Sequence, residues 1–183
     1  LIDADKEHRL PKVVVAVHLS GRAVDLERIA KLKAKYCFYL IEDAAHAFGA
    51  IYHDSMIGSC KFSDITVLSF HPVKIITTAE GGMCLTNNEN LYKLMRKFST
   101  HGIEHNLDAL ENKDMPAYYY EMQDLGFNYR LSDLQAALGI SQLAKVDELL
   151  RKRREIAHDY QEILGDNENL TLPVADTPES IKL

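Results

Sequence analysis

The chain has 183 residues, 46% of them hydrophobic and 26% charged, and a formal net charge of -6. These values suit one ordinary domain, or one domain and the start of another, with a buried core rather than a disordered chain. No run of about 18 apolar residues offers a membrane span. No basic run offers a footprint for a phosphate backbone, so nucleic acid is not an expected partner.

Residues 1–9 alternate acidic and basic side chains and contain no apolar run of the signal-peptide kind. Leu1 is not an initiator methionine, and the last residues do not complete an element, so the chain reads as a piece of a longer protein. Val13 to Val17 is a β-branched run, as expected of a buried strand. Leu26, Ile29, Ala30 and Leu32 repeat at helical spacing, with Asp25 placed to cap the helix. Cys37 to Ile41 is a second apolar run, followed at once by Glu42 and Asp43. Strand, helix, strand is the unit of a parallel sheet, in which ligands gather at the carboxyl ends of the strands. Asp43 stands at such an end.

Ile51 to Cys60 reads as a short hairpin bending near Asp54 and Gly58, and Ile65 to Phe70 as another strand. A polar loop with His71, Pro72 and Lys74 follows, and Gly81-Gly82 leads into a strand over Met83 to Thr86. Asn88 to Thr100 carries a helical stripe of Leu91, Leu94, Met95 and Phe98. Gly102 to Gln123 has no period and is rich in tyrosine, the mark of a long functional or mobile loop. A helix capped by Ser132 runs to Ala144, and a charged helix covers Val146 to Leu164. Leu170 to Val174 reads as the start of a second domain. The expected division is 1–145 for part of a large domain and 146–183 for a linking helix and the start of a small one.

Lys74 is the first candidate for chemistry, because it follows a buried-looking strand. A lysine amine attacks an aldehyde only when unprotonated, a state favoured by desolvation and nearby positive charge. The plain alternative is an exposed loop lysine. Asp43 is the second candidate: a carboxylate beside a pyridine nitrogen keeps that nitrogen protonated and the ring an electron sink. A helix cap is its alternative. Ser69 and Asn128 could donate to a phosphate or serve as turn residues, and His46 and His71 could be ligands or core histidines. His101 and His105 lack the carboxylate that would complete a zinc site. The three cysteines, Cys37, Cys60 and Cys84, lack metal spacing and read as reduced thiols of a cytoplasmic protein, Cys37 and Cys84 within apolar strand-like runs. There is neither a glycine-rich phosphate loop nor a nucleophile elbow.

Glu42-Asp43-Ala44-Ala45-His46, Ser69-Phe70-His71-Pro72-Val73-Lys74, Thr77 to Gly82 and Gly126 to Ala137 follow one another in an order that resembles the DegT/StrS nucleotide-sugar aminotransferases. Val17-His18-Leu19-Ser20-Gly21 is similar to the family's strand and turn ahead of the aspartate. The resemblance implies part of the large domain of the fold type I, aspartate-aminotransferase-like α/β architecture, a mostly parallel sheet between helices, with pyridoxal 5'-phosphate as cofactor. It implies that Lys74 binds the cofactor covalently and shuttles a proton, and that Asp43 pairs with the ring nitrogen. His46 would lie beside the ring and Ser69 would bond the phosphate. Asn128 would reach the phosphate of a neighbouring subunit in a homodimer with shared sites. His71 and Arg130 would touch substrate. The wording of the motifs is most similar to the pseudaminic-acid branch. That branch implies amino transfer from glutamate to a nucleotide-linked 4-keto-6-deoxy sugar, for surface polysaccharide or glycoprotein sugars. A sugar dehydratase, which replaces the lysine with histidine, and a truncated non-catalytic copy are the alternatives. The family's upstream phosphate cradle and ring-stacking aromatic residue are not in this sequence.

Overall fold

The computed structural model describes residues 1–173 and the backbone of Ile181–Lys182. A short helix α1 (Ile2–Lys6) precedes strand β1 (Val13–Val17), helix α2 (Leu26–Tyr36) and strand β2 (Tyr39–Asp43). Asp25 caps α2 by accepting from the Arg28 N–H at 3.0 Å, as the sequence predicts. Cys37 does not open the next strand. It ends α2 in the left-handed region at φ 56°, where its N–H reaches the Lys33 carbonyl. The helix needs a residue to reverse the chain there, and only after it does the extended run begin.

A small hairpin, β3 (Ile51–Tyr52) and β4 (Ser55–Met56), leads to β5 (Ile65–Ser69) and β6 (Gly82–Leu85). The main sheet has the order β1-β2-β5-β6. The first three strands are parallel, with Val17 paired to Asp43 and Asp43 to Val67. β6 is antiparallel to β5, pairing Ser69 with Gly82. The loop from residue 70 to residue 81 therefore only has to reverse the chain, which leaves it free to carry side chains for chemistry. The backbone of β9 (Ile181–Lys182) pairs with β3.

One face of the sheet is packed. Ala16, Tyr36, Phe38 and Leu40 form one cluster with Leu10, Val14 and Ile29. A second cluster joins Leu26, Ala44, Ala47, Tyr52, Leu68, Phe70 and Ile76. The other face is open: Val13, Val15, Val17 and Tyr39 are exposed. Strand periodicity explains the split, since alternate residues point to opposite faces.

After β6 come α3 (Glu89–Ser99), a short antiparallel pair β7 (Ile103–Glu104) and β8 (Glu121–Met122), then α4 (Asp133–Leu143) and α5 (Val146–Leu164). Ser132 and Gln135 form the capping box of α4. The region from 102 to 123 is thus a bounded loop with its own anchors. Its base is so tight that a Cβ on Gly102 would stand 1.8 Å from the Asp124 carbonyl. Glu121 organises its interior: its carboxylate accepts from the backbone N–H of Glu111 at 2.7 Å and of Asn112 at 2.8 Å, and from the Asn112 side chain. Among the described residues no helix is long and apolar enough to cross a membrane. Of the second domain expected to begin over Leu170 to Val174, residues 170–173 form no helix or strand, and Val174 lies outside the described residues.

Leu40 is 0% exposed, so Leu40→Ala should lower the unfolding free energy in urea by about 2–5 kcal/mol. Val15→Ala on the open face should change it by less than about 0.5 kcal/mol. Partial desolvation pushes the Glu121 carboxyl up, but the N–H donors of Asn112 and Glu111 outweigh it and bring it down to about 2, from an ordinary 4.5. A depressed carboxyl stabilises the loop above pH 4.5, and that contribution is lost as pH falls from there through about 2. An NMR titration should find Glu121 still ionised at pH 4.5, and Asn112→Ala should move its midpoint upward.

Candidate active site

The end of β2 sends consecutive carboxylates in opposite directions. Glu42 faces inward and is 2% exposed. Asp43 is half-buried on the other face, where its Oδ1 accepts from the Ala45 N–H at 3.1 Å. Its carbonyl accepts from the His18 N–H at 3.0 Å, which fixes the strand end against the turn that follows β1. This Asx-type bond is the local turn the cap alternative expected, and it engages only one of the two Asp43 oxygens.

Ser69 lies on the same face of the neighbouring strand, two residues beyond Val67, the register partner of Asp43. That spacing puts Asp43 and Ser69 roughly 8 Å apart along the open face. Ser69 Oγ accepts from the His71 N–H at 3.4 Å, and the Lys74 N–H bonds the His71 carbonyl at 2.9 Å. The loop that carries Lys74 is pinned at both ends. Thr78 N–H reaches the Phe70 carbonyl at 3.0 Å, and Phe70 and Ile76 are buried in the core.

Lys74 is half-buried, and among the described residues its amine has no hydrogen bond or ion pair. It lines a cleft of about 700 Å³ together with His46, Ser20, Gly21, and Arg153 and His158 of α5. His46 is exposed toward this cleft, and its Nδ1 accepts from the Ser20 N–H at 3.2 Å. Gly49 lets α5 close one side: its φ is +78°, and a Cβ there would meet Leu150 at 2.5 Å.

The structure therefore brings Lys74 and His46 into one cleft and sets Asp43 and Ser69 together on one sheet face, outside the cleft lining. His71 is exposed on the Lys74 loop, its ring Nδ1 taken by the Val73 N–H at 3.3 Å. Asn128 and Arg130 are exposed and do not line the cleft. Asn128 instead bridges to Thr100 beside α3. The sequence reading missed two features: the contribution of α5 to the cleft, and the buried His18 that bonds Glu42. The second was signalled by the Glu42-Asp43 pair, since strand alternation must bury one of them. Among the described residues no group of three or more histidine, cysteine or acidic side chains is arranged to hold a metal ion.

An unpaired lysine amine at a cleft, a carboxylate with a free oxygen at a strand end and a hydroxyl across from it together fit a phosphorylated pyridine aldehyde. The profile of the DegT/DnrJ/EryC1/StrS aminotransferases matches residues 4–182. The UDP-4-amino-4,6-dideoxy-N-acetyl-beta-L-altrosamine transaminase of Campylobacter jejuni is 41% identical over 162 residues, covering 88% of this chain and 40% of that protein. The protein of the same name from Helicobacter pylori is 38% identical over 160 residues, covering 87% and 40%. Helicobacter pylori PseC, an aminotransferase of pseudaminic acid biosynthesis, superposes with a TM-score of 0.76 at 36% identity, over 88% of this chain and 42% of that one. The pyridoxal-phosphate form of a sugar aminotransferase from Streptococcus pneumoniae gives 0.78 at 26% identity, over 98% and 48%. This chain spans about two-fifths of the length of the curated relatives it matches. The parallel sheet with its flanking helices is that of the fold type I large domain, and the chain belongs to the DegT/DnrJ/EryC1/StrS aminotransferase family.

Proposed function

We propose that this chain is the catalytic segment of a pyridoxal-phosphate-dependent aminotransferase that moves the amino group of glutamate to a nucleotide-linked 4-keto-6-deoxy sugar. The observation that carries this reading is the amine of Lys74, without a partner among the described residues, in a cleft that His46 also lines. The substrate class rests on the relatives named as UDP-sugar transaminases. The cofactor, when bound, supplies an electron sink that makes the proton on an amine-bearing carbon removable.

The residues divide that work. Lys74 Nζ would hold the cofactor, and its amine would take the proton from the amine-bearing carbon of glutamate and return one when the sugar is aminated. Asp43 holds a proton on the ring nitrogen with its free carboxylate oxygen. Ser69 Oγ would donate to the cofactor's phosphate, and His46 would lie beside its ring. In this reading His71 and Arg130 would contact substrate, and Asn128 the cofactor of a second subunit. The products are 2-oxoglutarate and an amino sugar, which enters surface polysaccharide or glycoprotein synthesis. Lys74 itself stands against the dehydratase alternative, which has histidine at that position.

A cytoplasmic homodimer is part of this reading. Leu134 is 86% exposed, Leu125 86% and Ile140 71%, and Phe127 stacks on Tyr129 with ring centroids 4.9 Å apart. So much apolar area next to Asn128 suits an interface between subunits. Residues 1–145 belong to the large domain in this proposal, and 146–183 to the helix and strand that lead into a smaller one.

Both halves are testable in a protein of full family length. Pyridoxal phosphate should give a visible absorption band that bleaches with glutamate, and Lys74→Ala should abolish the band while the circular dichroism stays native. A band that survives Lys74→Ala sinks the catalytic assignment. Leu134→Asp combined with Ile140→Asp should shift the sedimentation coefficient from dimer to monomer and lower cofactor affinity. Unchanged sedimentation would place the interface elsewhere.

A further inference from the structure

We infer that His18 and Glu42 are positioning residues: through the turn between residues 18 and 24 they hold the His46 ring in one orientation and one tautomer beside the Lys74 cleft. His18 is 0% exposed, yet both its ring nitrogens are engaged. The Val24 N–H donates to Nδ1 at 3.2 Å. Nδ1 is therefore an acceptor, the ring proton sits on Nε2, and Nε2–H donates to Glu42 Oε2 at 2.9 Å. The other Glu42 oxygen accepts from the Ser63 hydroxyl.

One ring thus grips both ends of the turn. Its own backbone begins the turn, and its Nδ1 takes the N–H that ends it. Between them the chain passes through positive φ at Ser20 (57°) and Gly21 (89°), closed by Gly21 N–H to the His18 carbonyl at 3.1 Å and Arg22 N–H to the Leu19 carbonyl at 3.2 Å. This conformation aims the Ser20 N–H at His46 Nδ1, 3.2 Å away. A ring nitrogen that accepts from an amide cannot carry a proton, so His46 presents Nε2–H as a donor. The same turn supplies Ser20 and Gly21 to the cleft wall. An apolar side chain at position 18 would fill the volume but leave the Val24 N–H and the Glu42 carboxylate without this partner. Packing alone therefore does not account for a histidine there. Glu42 sets the ring, the ring sets the turn, and the turn sets His46.

What His46 faces rests on the aminotransferase reading; its orientation does not. The test is imidazole nitrogen NMR on histidine-labelled protein of full family length, without cofactor. His18 and His46 should both show the separated nitrogen shifts of a fixed Nε2–H tautomer. In His18→Phe, with folding checked by circular dichroism, the His46 shifts should collapse toward the average of exchanging tautomers. Glu42→Leu should do the same, and it carries the test if His18→Phe does not fold. Glu42→Gln, which keeps an acceptor for Nε2–H, should restore the fixed pattern. A His46 ring already averaged in the native protein overturns the proposal, as does one still fixed in either folded disrupting variant. Because no cofactor is needed, a failure of the Lys74→Ala test would sink the aminotransferase reading and leave this result standing.

Discussion

The pairing of β2 between β1 and β5 governs everything else in this structure, because it decides where two adjacent carboxylates point. Glu42 and Asp43 are chemically similar, and a shift of one residue in a strand exchanges its faces. In the observed register Leu40 and Glu42 enter the packed side, while Tyr39, Ile41 and Asp43 take the open side. The apolar pattern alone supports this choice, since Ala16, Leu40 and Leu68 all belong to the buried face. The polar groups agree with it. The buried face offers Glu42 the His18 ring and the Ser63 hydroxyl, and a buried carboxylate is tolerated only where such donors wait for it.

That buried network continues beyond the carboxylate. Thr66 is fully buried, 3.4 Å from Ser63 and 3.3 Å from the Cys60 sulfur, which in turn donates to the Leu85 carbonyl at 3.2 Å. Polar side chains therefore link β1, β2, β5 and β6 across the packed face. No buried side-chain nitrogen or oxygen among the described residues is left unpaired. A satisfied chain of this kind specifies one arrangement of the strands, whereas an apolar layer of the same volume tolerates several. Asp43 is held by this specificity, although none of the network touches its carboxylate.

Much of the scaffold was legible in the residues. The β-branched run at Val13, the Asp25 cap, the Ser132 capping box and the apolar stripe of α3 all mark elements by local chemistry, and those elements are present. Asp43, Lys74 and Ser69 could be placed at strand ends or loops for the same reason. What local chemistry did not carry was partnership. The antiparallel direction of β6, the left-handed ending of α2 at Cys37, the Glu121-centred loop and the part α5 takes in the cleft all depend on residues far apart in sequence. The coupling of His18 to Glu42 spans 24 positions. Motif order suggested the chemistry proposed for the site but not the contacts that hold these residues still.

The two residues assigned the central roles are held by different devices, and the difference suits what each must do. Asp43 is the last residue of a paired strand. Its carbonyl, and the N–H of Ala44 that follows it, are both committed to the neighbouring strands or turns. A group that keeps a proton on one ring atom throughout a reaction gains from such rigidity. Lys74 sits instead on a loop fixed at its base by Phe70, Ile76 and Thr78, with a long side chain free of partners among the described residues. The role proposed for Lys74, holding a cofactor and moving a proton, would need a fixed root and a mobile end. The antiparallel return of β6 makes this possible, because it lets the loop close on itself through Phe70 and Gly81 without a crossing helix on top of it. In the proposed function, sheet topology acts by a short route: one parallel register aims the Asp43 carboxylate, and one reversal of direction frees the Lys74 amine.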